Sequence, residues 1–155
     1  MTDDFVEQLV KCIDGFPPVR NQAKALRDMM LVNPEAGFHS ERLANVSAVE
    51  GSDFDFEVET VGRRIYAYYS EFLSLKGNRS VPHGRYQFLL RLTDPRATEQ
   101  FVIEPLVTVE FPRNGEFSVG GDELVCDPGD YDRPRARSIL LYHLMHAIIK
   151  AQSED

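Results

Sequence analysis

Residues 53–72 read DFDFEVETVGRRIYAYYSEF, and their alternation decides the fold. Over residues 53–59 acidic side chains alternate with phenylalanine and valine, the period-two pattern of a half-buried strand. Val61-Gly62 then predicts a tight turn into a second strand over residues 64–72. The stretch is therefore interpreted as a β-hairpin with one apolar and one polar face.

A two-residue turn at this point sets the register of the hairpin, and both faces are chemically sensible in that register. The pairs predicted on the inner face are Phe54 with Tyr69, Phe56 with Ala67 and Val58 with Ile65. The pairs predicted on the outer face are Asp55 with Tyr68, Glu57 with Tyr66 and Glu59 with Arg64.

Further strands are predicted on both sides of the hairpin. Residues 74–84 are polar and are interpreted as a loop, and the alternation over residues 85–92 predicts a third strand. Residues 101–111 predict a fourth strand, in which Pro105 implies a sheet edge or a bulge. Residues 42–49 carry a weaker strand pattern.

Asn114-Gly115 is the strongest hairpin signal in the chain. A strict two-residue loop there would put Phe117 and Val119 on the same face as Glu110. We therefore expect a bulge or a longer loop at this hairpin.

Helical patterns lie at both ends of the chain. Apolar residues recur at helical spacing from Phe5 to Ile13, and Gly15 is expected to end that helix. Pro17-Pro18 is expected to start a second helix. Asp132 predicts the N-cap of a long, mostly apolar C-terminal helix.

The predicted fold class is α+β, with residues 1–155 forming one domain. It has two N-terminal helices, a five- to six-stranded antiparallel sheet, and a long C-terminal helix packed on the sheet. The chain has no β-α-β alternation and no Gly-x-Gly-x-x-Gly after a strand, which argues against a dinucleotide-binding α/β fold.

The net charge of −8 restricts the partners. A sequence-independent nucleic-acid binder needs Lys and Arg to displace counterions from phosphate, so nucleic acid is not expected. The net negative charge also disfavours binding to an anionic membrane surface, which attracts basic segments. The start of the sequence resembles no signal peptide, and Cys12 and Cys126 do not require a disulfide, so a cytoplasmic protein is expected.

No metal, cofactor or catalytic residue is predicted. His143 and His146 are three apart on one helix face, but a metal site needs a third ligand that the local sequence does not supply. The acidic loop at residues 127–132 lacks the ligand spacing of an EF-hand. Acids surround Cys126, which would raise its pKa and make it a poor nucleophile.

Three arginines near the start of the last helix suggest an anion site. Arg133, Arg135 and Arg137 stand where the helix dipole disfavours cations. One interpretation is pairing with Asp127, Asp130 and Asp132 just before them. The other is an anion or acidic partner held at the helix N-terminus.

The outer face of the first three predicted strands is the candidate partner-binding surface, because Tyr and Arg are enriched at protein interfaces. Its predicted residues are Asp55, Glu57, Glu59, Arg64, Tyr66, Tyr68, Arg85 and Arg91. The alternative is that the N-terminal helices cover this face, or that it is an ordinary solvated sheet surface.

Two hypotheses for function follow. The first is a non-enzymatic acidic module that binds another protein, for example a basic one or a second copy of the chain. Immunity proteins, antitoxins and secretion chaperones are of this general kind. The second is a small-molecule carrier or enzyme, since the element order resembles helix-grip ligand-binding folds. Apolar residues would then line a cavity between the sheet and the last helix, namely Phe54, Phe56, Tyr86, Phe88 and Leu144.

Overall fold

The computed structural model describes residues 3–31, 44–49, 54–76, 79–92, 102–111, 117–119, 122–124 and 133–153. Its elements are α1 (Asp3–Leu31), β1 (Ala44–Ala48), β2 (Phe56–Thr60), β3 (Arg63–Lys76), β4 (Arg79–Leu92), β5 (Val102–Phe111), β6 (Phe117–Val119), β7 (Asp122–Leu124) and α2 (Arg133–Ser153). The architecture is α+β, as the sequence predicts.

The strands form one antiparallel sheet in which each strand pairs with its neighbours in sequence, from β1 to β7. Strands β1–β5 make up most of it, and β6 and β7, of three residues each, extend one edge. The weak pattern over residues 42–49 does form a strand, because Val46 pairs with Val58. An antiparallel order of this kind needs only local connections.

The β2–β3 hairpin adopts the predicted register. Val58 lies opposite Ile65, and Glu59 lies opposite Arg64. The two turn residues have positive φ angles, 52° at Val61 and 72° at Gly62. Positive φ at both central positions defines the turn type whose twist matches the flanking strands.

The prediction of a polar loop over residues 74–84 is wrong. Strands β3 and β4 extend into this segment, and their last pair is Lys76 with Arg79. Pro82 is buried against α1, where a Cβ added to Gly15 would come within 2.6 Å of the proline Cγ. The helix therefore supplies the burial that stabilises this extension. Nothing in the local polar sequence signals that contact.

Pro105 lies at a bulge, one of the two arrangements that the sequence implied for it. Val107 is opposite Phe88 and Pro105 is opposite Leu89, so Leu106 is the extra residue on β5. Further along β5, Val109 lies opposite Val119 and Glu110 opposite Ser118. This register is offset from that of a two-residue loop, as we expect, although Asn114-Gly115 lies outside the described residues.

The prediction of two N-terminal helices is wrong, since α1 is one helix of 29 residues with Pro17 and Pro18 inside it. A proline within a helix removes an N–H donor and crowds the preceding turn. Helix packing offsets that cost, because Val19, Leu26 and Met30 are fully buried in the core. Gly15 does not end the helix but allows it to approach Pro82 closely.

Both helices pack on the same face of the sheet, since their buried side chains join one apolar cluster with the inward residues of β2–β5. We call this the inner face. α1 packs mainly on β4, whereas α2 contacts β5 and α1. The C-terminal helix therefore contacts the sheet less extensively than predicted, although Leu140, Leu144 and Ile148 are fully buried.

Candidate functional site

The outer face is the sheet surface opposite the inner face, and the register places the predicted residues of β2, β3 and β4 on it. Glu57 lies opposite Tyr66, and Tyr66 lies opposite Leu89. Tyr68 lies opposite Gln87. Because both helices pack on the inner face, the alternative in which helices cover the outer face is ruled out for the described chain.

Asp55 and Phe54 lie on the faces opposite to those predicted. Strand β2 begins only at Phe56, and the Asp55 N–H still donates to the Ala67 carbonyl at 2.9 Å. The Asp55 carboxylate accepts a hydrogen bond of 2.7 Å from the hydroxyl of Tyr86, an inner-face residue. The chain deviates here because the buried tyrosine hydroxyl takes a carboxylate as its acceptor, so Asp55 does not belong to the outer face.

Phe54 covers Tyr66 on the outer face. The two rings stack with centroids 4.8 Å apart at an interplanar angle of 21°. Tyr66 is consequently only 6% exposed, whereas Tyr68 is 38% exposed. Of the two predicted tyrosines, Tyr68 is the one whose surface is open to a partner.

A small pocket lies where the outer face meets the β2–β3 turn. Its volume is about 200 Å³, and it is lined by Glu59, Gly62, Arg63, Arg64 and Arg91. Three of the predicted residues thus come together here, joined by Gly62 and Arg63, which sequence reasoning missed. The sequence signal that could have indicated them was the position of Arg63 directly after the predicted tight turn at Val61-Gly62.

Tyr66 and the acids of β2 organise the arginines beside this pocket. The Arg91 Nη1 lies 3.4 Å from the Tyr66 hydroxyl oxygen, and the Arg64 Nε lies 4.0 Å from a Glu57 oxygen. A hydrogen bond to Tyr66 and the charge of Glu57 raise the pKa of Arg64. Cations, a carboxylate and an aromatic hydroxyl therefore lie side by side.

Arg85 lies at the other end of the outer face, away from the pocket. Its guanidinium stacks over the Phe72 ring at 4.8 Å, and Phe72 in turn packs against His83 with centroids 5.5 Å apart. Glu110 is the cross-strand neighbour of Arg85 on β5. Sequence reasoning missed His83 because it lies in the segment interpreted as a loop.

The predicted anion site at the start of α2 is not formed by Arg137. That side chain is 5% exposed, and its Nε donates a hydrogen bond of 3.1 Å to the Met30 carbonyl. Carbonyls in the last turn of a helix lack intrahelical donors and carry the negative end of the dipole. Arg137 therefore caps the C-terminus of α1. The side chains of Arg133 and Arg135, and residues 127–132, lie outside what the structure describes.

The sequence analysis did not predict an ion pair that joins helix α1 to the sheet. Arg20 on α1 binds Glu71 on β3 through two hydrogen bonds, of 2.6 Å from Nε and 3.0 Å from Nη2. The Tyr69 hydroxyl donates a third hydrogen bond to Glu71, at 3.1 Å. Glu71 continues the inner-face alternation of β3, which was a signal that it needed a cation from the helix side.

His143 is half-buried and His146 is exposed on α2. Within the described ranges, no group of three His, Cys, Asp or Glu residues is placed to hold a metal ion. Neither α1 nor α2 has the length and hydropathy of a membrane-spanning helix.

Four of the residues predicted to line a helix-grip cavity, Phe56, Tyr86, Phe88 and Leu144, lie in the buried core. Phe56 packs against Tyr86 and Phe88 with ring centroids 5.7 and 5.9 Å apart. Leu144 belongs to the same buried cluster. Phe54 lies on the other face, so it does not contribute to such a cavity.

The chain matches no protein-family model, and no curated protein and no solved structure is significantly similar to it.

Proposed function

We propose that the protein is a non-enzymatic module that binds another protein through the outer face of β2, β3 and β4. The observation that carries the proposal is the position of Tyr68, 38% exposed on the sheet face opposite both helices. An exposed tyrosine on a rigid sheet offers a large contact area and a hydroxyl with little entropy to lose on binding.

The outer face of β2–β4, with the adjoining residue Glu110 of β5, also carries charged side chains of both signs. The acids are Glu57, Glu59 and Glu110, and the bases are Arg64, Arg85 and Arg91. The face is thus close to neutral, although the whole chain has a net charge of −8. A partner with a mixed surface complements the face, while the net charge attracts a basic partner at long range.

The type of activity proposed is that of immunity proteins, antitoxins or secretion chaperones, which act by covering a surface of another protein. A sheet face that combines exposed tyrosine, arginine and carboxylate suits that task. Tyrosine and arginine supply most of the binding energy at typical interfaces, while the surrounding polar side chains exclude water.

The test replaces Tyr68 alone, because Tyr66 is buried under Phe54 and its removal would disturb the fold. Tyr68→Ala should reduce the amount of partner recovered when the tagged protein is purified from its native cells, with the melting temperature unchanged. Tyr142→Ala is the matched control, since Tyr142 is 48% exposed on α2. Equal partner recovery with Tyr68→Ala and with the original protein would refute the proposal.

A further inference from the structure

The pocket at the β2–β3 turn concentrates positive charge in an acidic protein. Of its five lining residues, Arg63, Arg64 and Arg91 are cations and Glu59 is the only acid. The chain as a whole carries a net charge of −8. Three arginines around a space of about 200 Å³ are therefore unlike the average surface of this molecule.

Two of these arginines are cross-strand neighbours. Ile65 pairs with Leu90, which sets Arg64 of β3 beside Arg91 of β4 on the outer face. Like charges in neighbouring positions of a sheet destabilise it. Glu57 and Glu59 offset part of that repulsion at Arg64, and an anion between the two guanidinium groups would offset more of it. Guanidinium groups bind planar carboxylates and phosphates through paired hydrogen bonds.

Tyr66 helps to hold this arrangement in place. Its hydroxyl oxygen lies 3.4 Å from the Arg91 Nη1, and its ring is clamped under Phe54 at 4.8 Å. A side chain with so little freedom orients the guanidinium beside it. Less entropy is then lost when a ligand binds.

The turn at the edge of the pocket carries backbone strain. Val61 has a φ of 52°, a conformation that β-branched residues rarely adopt, and its side chain is 46% exposed. Strain of this kind is often found at binding sites. Val61 directly precedes Gly62 and Arg63, two of the residues that line the pocket.

From the pocket, its three arginines and the fixed Tyr66 hydroxyl, we infer that this site binds an oxyanion, either a carboxylate or a phosphate group. The inference does not depend on the proposed partner, because a free small anion and an acidic side chain of a protein present the same chemistry to the pocket.

The test is a titration of the whole isotope-labelled chain, followed by NMR at constant ionic strength. Inorganic phosphate is the probe in one arm and N-acetylglutamate is the probe in the other. Saturable shifts of the backbone amides of residues 59–64 and of Arg91 are expected in at least one arm. Saturation with phosphate alone assigns a phosphate ligand, and saturation with N-acetylglutamate alone assigns a carboxylate.

Variants show whether the arginines bind the probe. Arg64→Gln and Arg91→Gln should each weaken binding about tenfold, as expected for the loss of a charge-assisted hydrogen bond. Lys24→Gln, which removes the same charge from an exposed position on α1, should bind as the original chain does. Should Arg91→Gln not fold because of its contact with Tyr66, the more exposed Arg64→Gln decides the matter.

Two results would overturn the inference. One is the absence of saturable shifts in both arms. The other is an equal loss of binding in Lys24→Gln and Arg64→Gln, which would show general charge attraction instead of a site. Neither result bears on the partner-recovery experiment with Tyr68→Ala, so the two proposals fail separately.

Discussion

The Tyr86 hydroxyl donates a hydrogen bond of 2.7 Å to the Asp55 carboxylate, and this contact determines on which faces of the sheet Asp55 and Phe54 lie. Tyr86 is on β4 and Asp55 just precedes β2, so the bond spans β3. Turning Asp55 toward Tyr86 places Phe54 on the outer face, where it covers Tyr66. Burial, followed by the bond to Asp55, raises the pKa of Tyr86, so its hydroxyl remains a donor across the ordinary pH range.

Tyr86→Phe should lower the free energy of unfolding by about 1.5–3 kcal/mol, the usual cost of losing a hydrogen bond to a charged group. Urea denaturation measures the change. Tyr68→Phe is the control, since it removes a hydroxyl from an exposed side chain and should change stability by less than about 0.5 kcal/mol. Equal effects of the two changes would contradict the structural role of the bond to Asp55.

Val61→Asn should raise the free energy of unfolding by about 1 kcal/mol, because asparagine tolerates positive φ better than valine does. The observed φ of 52° is the basis for this expectation.

Gly62→Ala should lower the free energy of unfolding by a similar amount, about 1 kcal/mol. A Cβ at Gly62 would meet nothing within 4 Å, so the loss would be conformational only. Thermal or chemical denaturation of both variants tests the turn type, and no change in either would argue against it.

Gly15→Ala should destabilise the protein, although alanine favours a helix over glycine by about 1 kcal/mol. The added Cβ would lie 2.6 Å from the Cγ of Pro82, which is too close for a rigid ring to relieve by rotation. Overpacking of this kind costs about 1–3 kcal/mol, more than the helical gain. Asn21→Ala, at an exposed site on the same helix, should stabilise by a few tenths of a kcal/mol, about 0.5 at most. A stabilising Gly15→Ala would show that α1 and Pro82 are farther apart.

The pair formed by Arg20 and Glu71 should make stability depend on acid pH. The hydrogen bond that the Glu71 carboxylate accepts from Arg20 holds the pKa of Glu71 below the ordinary value. A carboxyl group with a depressed pKa stabilises the fold above its unfolded pKa, and that contribution is lost as the pH falls through the folded pKa. Arg20→Gln should therefore lower the melting temperature near pH 7, and the difference from the original chain should shrink below roughly pH 4.

Salt provides the control for this prediction. Arg20 is exposed, so added salt should reduce the difference between Arg20→Gln and the original chain at neutral pH. A difference that stays constant from neutral to acid pH would mean that Glu71 does not titrate with the pair. Differential scanning calorimetry across the pH range supplies both measurements.

The β2–β3 hairpin was predictable because local alternation determines which side chains face the core. Phe56 and Val58 had to face inward together, and the two-residue turn then permitted one register. The bulge at Pro105 was predictable for a similar reason, since a proline cannot donate within a central ladder. The face of Asp55 was not predictable, because its hydrogen-bond partner Tyr86 lies two strands away.

The candidate site was predicted in part. Alternation placed Arg64, Arg91 and Tyr68 on one face, but the burial of Tyr66 depends on the stacking of Phe54. The role of Arg137 was misassigned because its acceptor, the Met30 carbonyl, is 107 residues away in sequence. The local charges suggested that Arg137 binds an anion. In the structure it binds the C-terminus of α1 instead, which is close only in the folded protein.

By itself, the sequence determined the α+β class, the strand order around residues 53–72 and the polar character of the outer face. These follow from side-chain periodicity, which acts between near neighbours. Only the tertiary structure decided that α1 is one helix, that β3 and β4 extend to Lys76 and Arg79, and that arginines meet at a pocket. The reason is that burial against distant elements, as Gly15 against Pro82, outweighs the local preference of glycine, proline and polar residues.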